Sequence, residues 1–183
     1  MNKPKKQQPR TPTEPQGRDL FQTPNYATDI LIPFLPKIPI WEPACGDGKI
    51  VYRLRNRGFD VRGTDVWGFD SVNFLTDTPR FSYNAIVTNP PFSLKKEFIY
   101  RAIQIGVPFA FLIPSDFCGW ILQLMRHGAQ WVIPTRRINF ITPTGRSGNN
   151  SASTFHSGWF TLGLDLPHQI SIVDLDKDAM INI

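Results

Sequence analysis

Two cysteines, Cys45 and Cys118, and three histidines are all this chain offers as soft metal ligands or disulfide formers. That is too few for a disulfide framework or a four-ligand zinc site, so no metal centre is expected. Scarce cysteine points to a reducing, cytoplasmic setting. No stretch approaches the roughly 18 consecutive apolar residues that cross a bilayer, so no membrane partner is expected. The start, Met-Asn-Lys-Pro-Lys-Lys, has no apolar run behind it and does not read as a secretory signal. Carboxylates are missing from one long stretch: residues 117–164 contain Arg126, Arg136, Arg137 and Arg146 and no acid at all.

What is present is enough for a packed core. The 183 residues are 41% hydrophobic and 19% charged, which suits one globular domain. Charge is unevenly placed. Residues 1–18 carry +4, 19–116 are neutral, 117–164 carry +4 and 165–183 carry −3. The acid-free stretch suits a polyanion, although a surface that merely lacks carboxylates would read the same. Residues 1–18 are rich in Pro, Lys and Gln and have almost nothing to bury, so they are expected to form a disordered basic tail. A domain over 19–166 and an acidic C-terminal extension over 167–183 complete the division.

Within the domain, strand and helix patterns alternate, and no internal repeat is visible. Pro24 to Leu31 reads as a short helix with Thr23 as its cap and Pro24 at its first position. Pro39–Pro43 reads as a buried strand. Lys49–Arg57 reads as a helix ended by Gly58, and Phe59–Thr64 as a strand stopping at Asp65. A short third element is expected just before Asn73, ahead of a buried strand over Tyr83–Thr88. Leu94–Ile105 is a helix, Val107–Ile113 a central strand and Cys118–His127 a helix. Arg137–Thr142 and Phe155–Leu164 read as strands joined by a loop rich in Gly, Ser and Asn. This pattern predicts an α/β fold, a Rossmann-like doubly wound, mostly parallel sheet with an antiparallel C-terminal hairpin at one edge.

Three short segments carry chemistry. The first is Glu42-Pro43-Ala44-Cys45-Gly46-Asp47-Gly48, a turn between strand and helix. Gly46 and Gly48 would let backbone approach a nucleoside closely. The third glycine of a dinucleotide fingerprint and the Gly-Lys-Ser/Thr of a P-loop are both absent. Taken alone, the segment fits a plain tight turn as well. The second is Asp65, at the end of the next strand, where a carboxylate can accept both ribose hydroxyls; a surface acid or helix cap would look alike. Further on, the Asn73 amide is placed to meet an adenine edge, with Phe74 or Leu75 against the ring face. The third is Asn89-Pro90-Pro91-Phe92. Two prolines stiffen the backbone and remove two donors. The Asn89 side-chain oxygen and the Pro90 carbonyl remain as adjacent acceptors, suited to a planar amino group and ill suited to a phosphate. Phe92 adds an aromatic face. The bland alternative is a rigid Pro-Pro turn.

Together these segments resemble the S-adenosylmethionine-dependent amino-methyltransferases, in particular small phage-type DNA adenine N6-methyltransferases. The resemblance runs from about Asp19 to Leu164. Phe21-Gln22-Thr23-Pro24 looks like the family's N-terminal cofactor motif, Glu42–Gly48 like its glycine motif, Asp65 like its ribose acid and Asn89–Phe92 like its catalytic tetrapeptide. Arg137-Ile138-Asn139-Phe140 and Trp159-Phe160 look like its late strands near the target base. The resemblance implies a class I methyltransferase fold, S-adenosylmethionine as cofactor, and direct in-line methyl transfer to the exocyclic N6 of adenine in DNA, in a bacterial or phage-infected cell. It implies Asn89, Pro90, Pro91 and Phe92 as catalytic. Thr23, Pro24, Glu42, Ala44, Cys45, Gly46, Gly48, Asp65, Asn73, Phe74 and Asn89 would hold the cofactor, and Arg136, Arg137, Phe140 and Arg146 the nucleic acid. The family often has Asp where this chain has Asn73, which keeps an acceptor and loses a charge. Enzymes that methylate RNA adenine or protein glutamine share the tetrapeptide. A binding module without transfer would have a broken one, and here it is intact.

Overall fold

A computed structural model describes residues 21–68, 71–141 and 155–175. The tail over 1–18 and the Thr142–Thr154 loop with its Arg146 lie outside the described residues.

Seven strands form one sheet: β1 (Ile40–Glu42), β2 (Val61–Gly63), β3 (Ala85–Thr88), β4 (Phe109–Pro114), β5 (Gln130–Pro134), β6 (Ser157–Leu162) and β7 (Ile170–Val173). Their order is β2-β1-β3-β4-β6-β5-β7. β2, β1, β3 and β4 run parallel, β6 is antiparallel to both β4 and β5, and β7 is parallel to β5. The helices are α1 (Asn25–Asp29), α2 (Lys49–Asn56), α3 (Lys95–Ile105) and α4 (Gly119–Arg126). The expected doubly wound α/β sheet with an antiparallel pair is the one observed.

Both faces of the sheet are covered, which is why β3 and β4 read as unbroken apolar runs. On one face Val87, Ala110, Leu112 and Trp159 pack with Ile50, Val51 and Leu54 of α2 and with Ala27 and Leu31. On the other, Trp41, Ile86, Phe111, Ile113 and Phe160 pack with Phe98, Ile99 and Ala102 of α3 and with Ile121 and Met125 of α4. Each fully buried side chain of this size stabilises by about 1.5–3 kcal/mol relative to exposure. A forked ion pair fixes α1 to α2: Arg53 Nε and Nη2 donate to the Asp29 carboxylate at 2.8 and 2.6 Å.

Several local expectations are corrected. Pro24 itself is the residue capping α1, with ψ 151°, and no side chain caps that helix; Thr23 is buried beside it. The strand expected over Arg137–Thr142 does not form across its described residues. The Asn139 N–H donates to the Tyr26 hydroxyl at 2.9 Å, and that hydroxyl donates to the Asn139 carbonyl at 3.0 Å, so these groups have no strand partner. Among the described residues Ile141 pairs with Gln22 alone, in an isolated bridge. The strand that precedes β6 in the chain and pairs antiparallel with it is instead β5. The pair is also internal, because β6 is buried along five of its six residues and so needs a neighbour on each side. The edge falls to β7, half exposed, inside the stretch expected as an extension. The short element expected before Asn73 is, among the described residues, a single bridge between Asp65 and Ser71.

Candidate active site

The C-terminal ends of β1, β2 and β3 bring the three chemical segments to one edge of the sheet, where ligands bind in open α/β folds. After β1 the chain turns through Gly46, at φ 47°, and Gly48, at φ 76°, both in the left-handed region that favours glycine. Gly48 then opens α2. The turn is held from two sides. The Cys45 N–H donates to the Thr64 carbonyl at 3.0 Å, and the Gly46 N–H donates to Asp65 Oδ2 at 2.9 Å. Asp65 Oδ1 accepts the Trp67 N–H at 3.3 Å. A carboxylate has about four lone-pair sites, so Asp65 can still accept two hydroxyls while it holds the turn.

Glu42 closes β1 and is 1% exposed. One carboxyl oxygen accepts the Val51 N–H, while Oε2 is buried without a partner. Burial, first, and the nearby Asp65 hold its pKa well above the usual carboxylate range. Burial and the neighbouring carboxylates of Glu42 and Asp65 push the Cys45 thiol up to about 12. It is therefore a protonated packing group and not a nucleophile.

Asn89 follows the last residue of β3. Its side-chain Oδ1 is buried and has no hydrogen-bond partner. Pro90 is buried, Pro91 and Phe92 are half-buried, and a 3-10 turn over Phe92–Leu94 leads directly into α3. The Phe92 ring meets Phe140 at 5.7 Å and Phe155 at 5.4 Å between centroids, both at 77°.

The structure sorts the remaining candidates. Gly46, Gly48, Ala44, Cys45 and Asp65 come together, and Gln22, which pairs with Ile141, lies over the turn, since a Cβ on Gly46 would meet Gln22 Nε2 at 2.8 Å; Thr23 and Pro24 follow Gln22 in the chain, Thr23 buried and Pro24 capping α1. Asn73 is committed locally, since its Oδ1 accepts the Leu75 N–H at 3.1 Å. Phe74 is 2% exposed and packs on Trp41 and Phe98, so it is core; the half-exposed neighbour is Leu75. Phe140 is 3% exposed and walls Phe92 rather than offering a face of its own. Arg136 and Arg137 are exposed and form no ion pair among the described residues. Asp116 is paired with Lys95 at 3.0 Å.

Three contributors escaped the sequence reading. Gln22 sits inside the Phe-Gln-Thr-Pro motif, which was its signal. Gly63 makes room for the turn, because a Cβ there would meet Val51 Cγ2 at 2.7 Å and Cys45 Cβ at 3.1 Å; a glycine within a strand signals such an approach. Phe155 has no local signal, since only the fold brings it to Phe92.

No protein-family model matches the chain, and no curated protein matches it. Among solved structures it is similar to a proposed RNA methyltransferase from Pyrococcus horikoshii, with a TM-score of 0.54 at 13% identity over 81% of this chain and 88% of that one. It is also similar to protein 1320 of Thermoplasma acidophilum, with a TM-score of 0.50 at 10% identity over 74% of this chain and 84% of that one. At these identities the likeness is one of fold alone, a doubly wound, mostly parallel α/β sheet.

Proposed function

We propose that this protein transfers a methyl group from S-adenosylmethionine to the exocyclic N6 of adenine in DNA, directly and without a covalent enzyme intermediate. The observation that carries the reading is Asn89 Oδ1, a buried acceptor with no partner. Leaving such a group unsatisfied costs roughly 1–3 kcal/mol, and a bound donor removes that cost. A planar amino group is the donor that suits it, because the adjacent prolines offer acceptors and no N–H.

The residues fit the cofactor. Gly46 and Gly48 keep the turn free of Cβ atoms where backbone must approach a nucleoside, Asp65 retains lone pairs for the ribose hydroxyls, and the unpartnered Glu42 Oε2 lies beneath the same turn. When bound, S-adenosylmethionine supplies an electrophilic methyl group on a sulfonium. The chain supplies the rest. Asn89 Oδ1 and the Pro90 carbonyl accept the two N–H bonds of the adenine amine and draw its nitrogen out of conjugation with the ring. These acceptors are preorganised, so they stabilise positive charge developing on that nitrogen. Phe92, held by Phe140 and Phe155, orients the base and offsets part of the few kcal/mol needed to unstack it. The thiol of Cys45 takes no part.

DNA as the substrate is supported by the acid-free stretch 117–164 and by exposed, unpaired Arg136 and Arg137. The name of the Pyrococcus structure makes RNA the first competitor. Incubation with methyl-labelled cofactor and DNA, RNA or protein decides: label on N6 of adenine in DNA is expected, and label only on RNA or protein refutes the substrate. Asn89→Ala should lower turnover by at least about 100-fold while cofactor affinity stays near wild type. Transfer within a few-fold of wild type would refute the role of Asn89.

A further inference from the structure

α3 and α4 are joined by buried side chains, with Phe98, Ile99 and Ala102 of α3 and Ile121 and Met125 of α4 in one core. At the edge of that core, with Trp120 packed partly against it, a second aromatic group reaches solvent. Tyr100 is 45% exposed and lies 6.4 Å from the half-buried Trp120, the rings tilted by 35°. The Lys96 ammonium stands 5.7 Å from the Tyr100 ring centroid and 5.8 Å from that of Trp120. Lys96 forms no ion pair among the described residues, although Glu97 follows it on the helix; its neighbour Lys95 is held by Asp116. Phe117, 44% exposed, stands just before α4. Trp120 and Phe117 both belong to the stretch without acids.

The position of this group matters. Lys96 comes four residues after Phe92, a span of roughly 6–8 Å at the rises of 3-10 and α-helix. One or two nucleotides cover that span, since stacked bases along a strand are about 3.4 Å apart. Aromatic rings flanked by a cation, with no opposing carboxylate on Lys96, complement a base and its phosphate.

We infer that Lys96, Tyr100 and Trp120 form a stacking platform for an unpaired DNA nucleotide adjacent to the target adenine, which makes single-stranded or locally opened DNA the preferred substrate. This rests on the proposed methyl transfer to DNA. Bases in a duplex are stacked on each other and offer the platform no face, so the platform discriminates by strand state rather than by sequence.

The test compares the full chain with Tyr100→Ala/Trp120→Ala and with Trp120→Phe. Binding of a labelled adenine-containing DNA strand, its duplex and the matching RNA strand is followed by anisotropy, with methyl incorporation measured on each. The double variant should lose at least about five-fold in affinity for the DNA strand. Its KM for that strand should rise while kcat holds, and duplex binding and cofactor affinity should not change. Trp120→Phe should restore most of the loss. An equal loss on strand and duplex, or a fall in thermal stability with strand affinity intact, would make the aromatic pair a brace between helices and overturn the platform. Tighter, equally sensitive binding of the RNA strand would overturn the assignment to DNA. If the wild type methylates DNA and the double variant binds the strand normally, the platform alone fails. If the wild type methylates no DNA, the reaction fails and the platform with it.

Discussion

The Gly46 N–H donates to Asp65 Oδ2 at 2.9 Å, so the acid at the end of β2 holds the glycine turn at the end of β1. Asp65 thus has two tasks at one carboxylate: it shapes the turn, and it presents lone pairs above it.

Asp65→Ala is therefore expected to weaken cofactor binding by more than one hydrogen bond is worth. Charge-assisted hydrogen bonds contribute roughly 1.5–3 kcal/mol each, so calorimetry should show a loss of at least about ten-fold. Asp65→Asn keeps one acceptor oxygen and should fall between wild type and the alanine variant. Unchanged affinity in a folded alanine variant would remove Asp65 from the cofactor site.

Gly63→Ala tests the packing of the turn against β2. The added methyl would lie 2.7 Å from Val51 Cγ2 and 3.1 Å from Cys45 Cβ. Overpacking of this kind costs typically about 1–3 kcal/mol. A denaturant melt should show that loss, together with weaker cofactor binding, because Cys45 opens the turn. A variant as stable as wild type would mean that α2 yields at no cost.

Glu42→Gln tests the buried acid through pH. The native pKa of Glu42 lies well above the usual carboxylate value because burial opposes its charge. The folded protein therefore holds this proton more tightly than the unfolded chain does. The stability from that proton is complete below the unfolded value of about 4.3 and is lost as pH rises through the native value. Glutamine is neutral throughout and keeps an acceptor for Val51. The variant should gain in Tm relative to wild type as pH rises from about 4 to 8, and parallel curves would contradict the assignment.

Arg136 and Arg137 make no ion pair among the described residues, so removing their charge should not cost fold stability. Arg136→Gln/Arg137→Gln is expected to weaken DNA binding and to flatten its salt dependence by roughly 0.9 for each phosphate no longer neutralised. Cofactor affinity should be unaffected. An unchanged salt slope would place the DNA on another face.

The candidate site residues stand out in the sequence because each lies in a short run at the end of a strand. The roles proposed for Gly46, Gly48, Asp65 and Asn89 rest largely on backbone geometry and side-chain type, and the alternation of strand and helix brings strand ends together at one edge whatever the details of packing. The mostly parallel sheet was readable for the same reason. What local pattern could not decide was how apolar residues are shared between core and cleft. Phe74 and Phe140 carry no sign of which they serve. Burial against Trp41 and Phe98 took the first out of the cleft, and packing on Phe92 made the second a wall. The order of the last strands was likewise decided in three dimensions. Buried nearly throughout, β6 had to lie between two neighbours, whereas β7 could leave Ile172 71% exposed and take the edge. Gln22 over Gly46 and Phe155 on Phe92 are products of the same long-range packing, which sequence spacing does not encode.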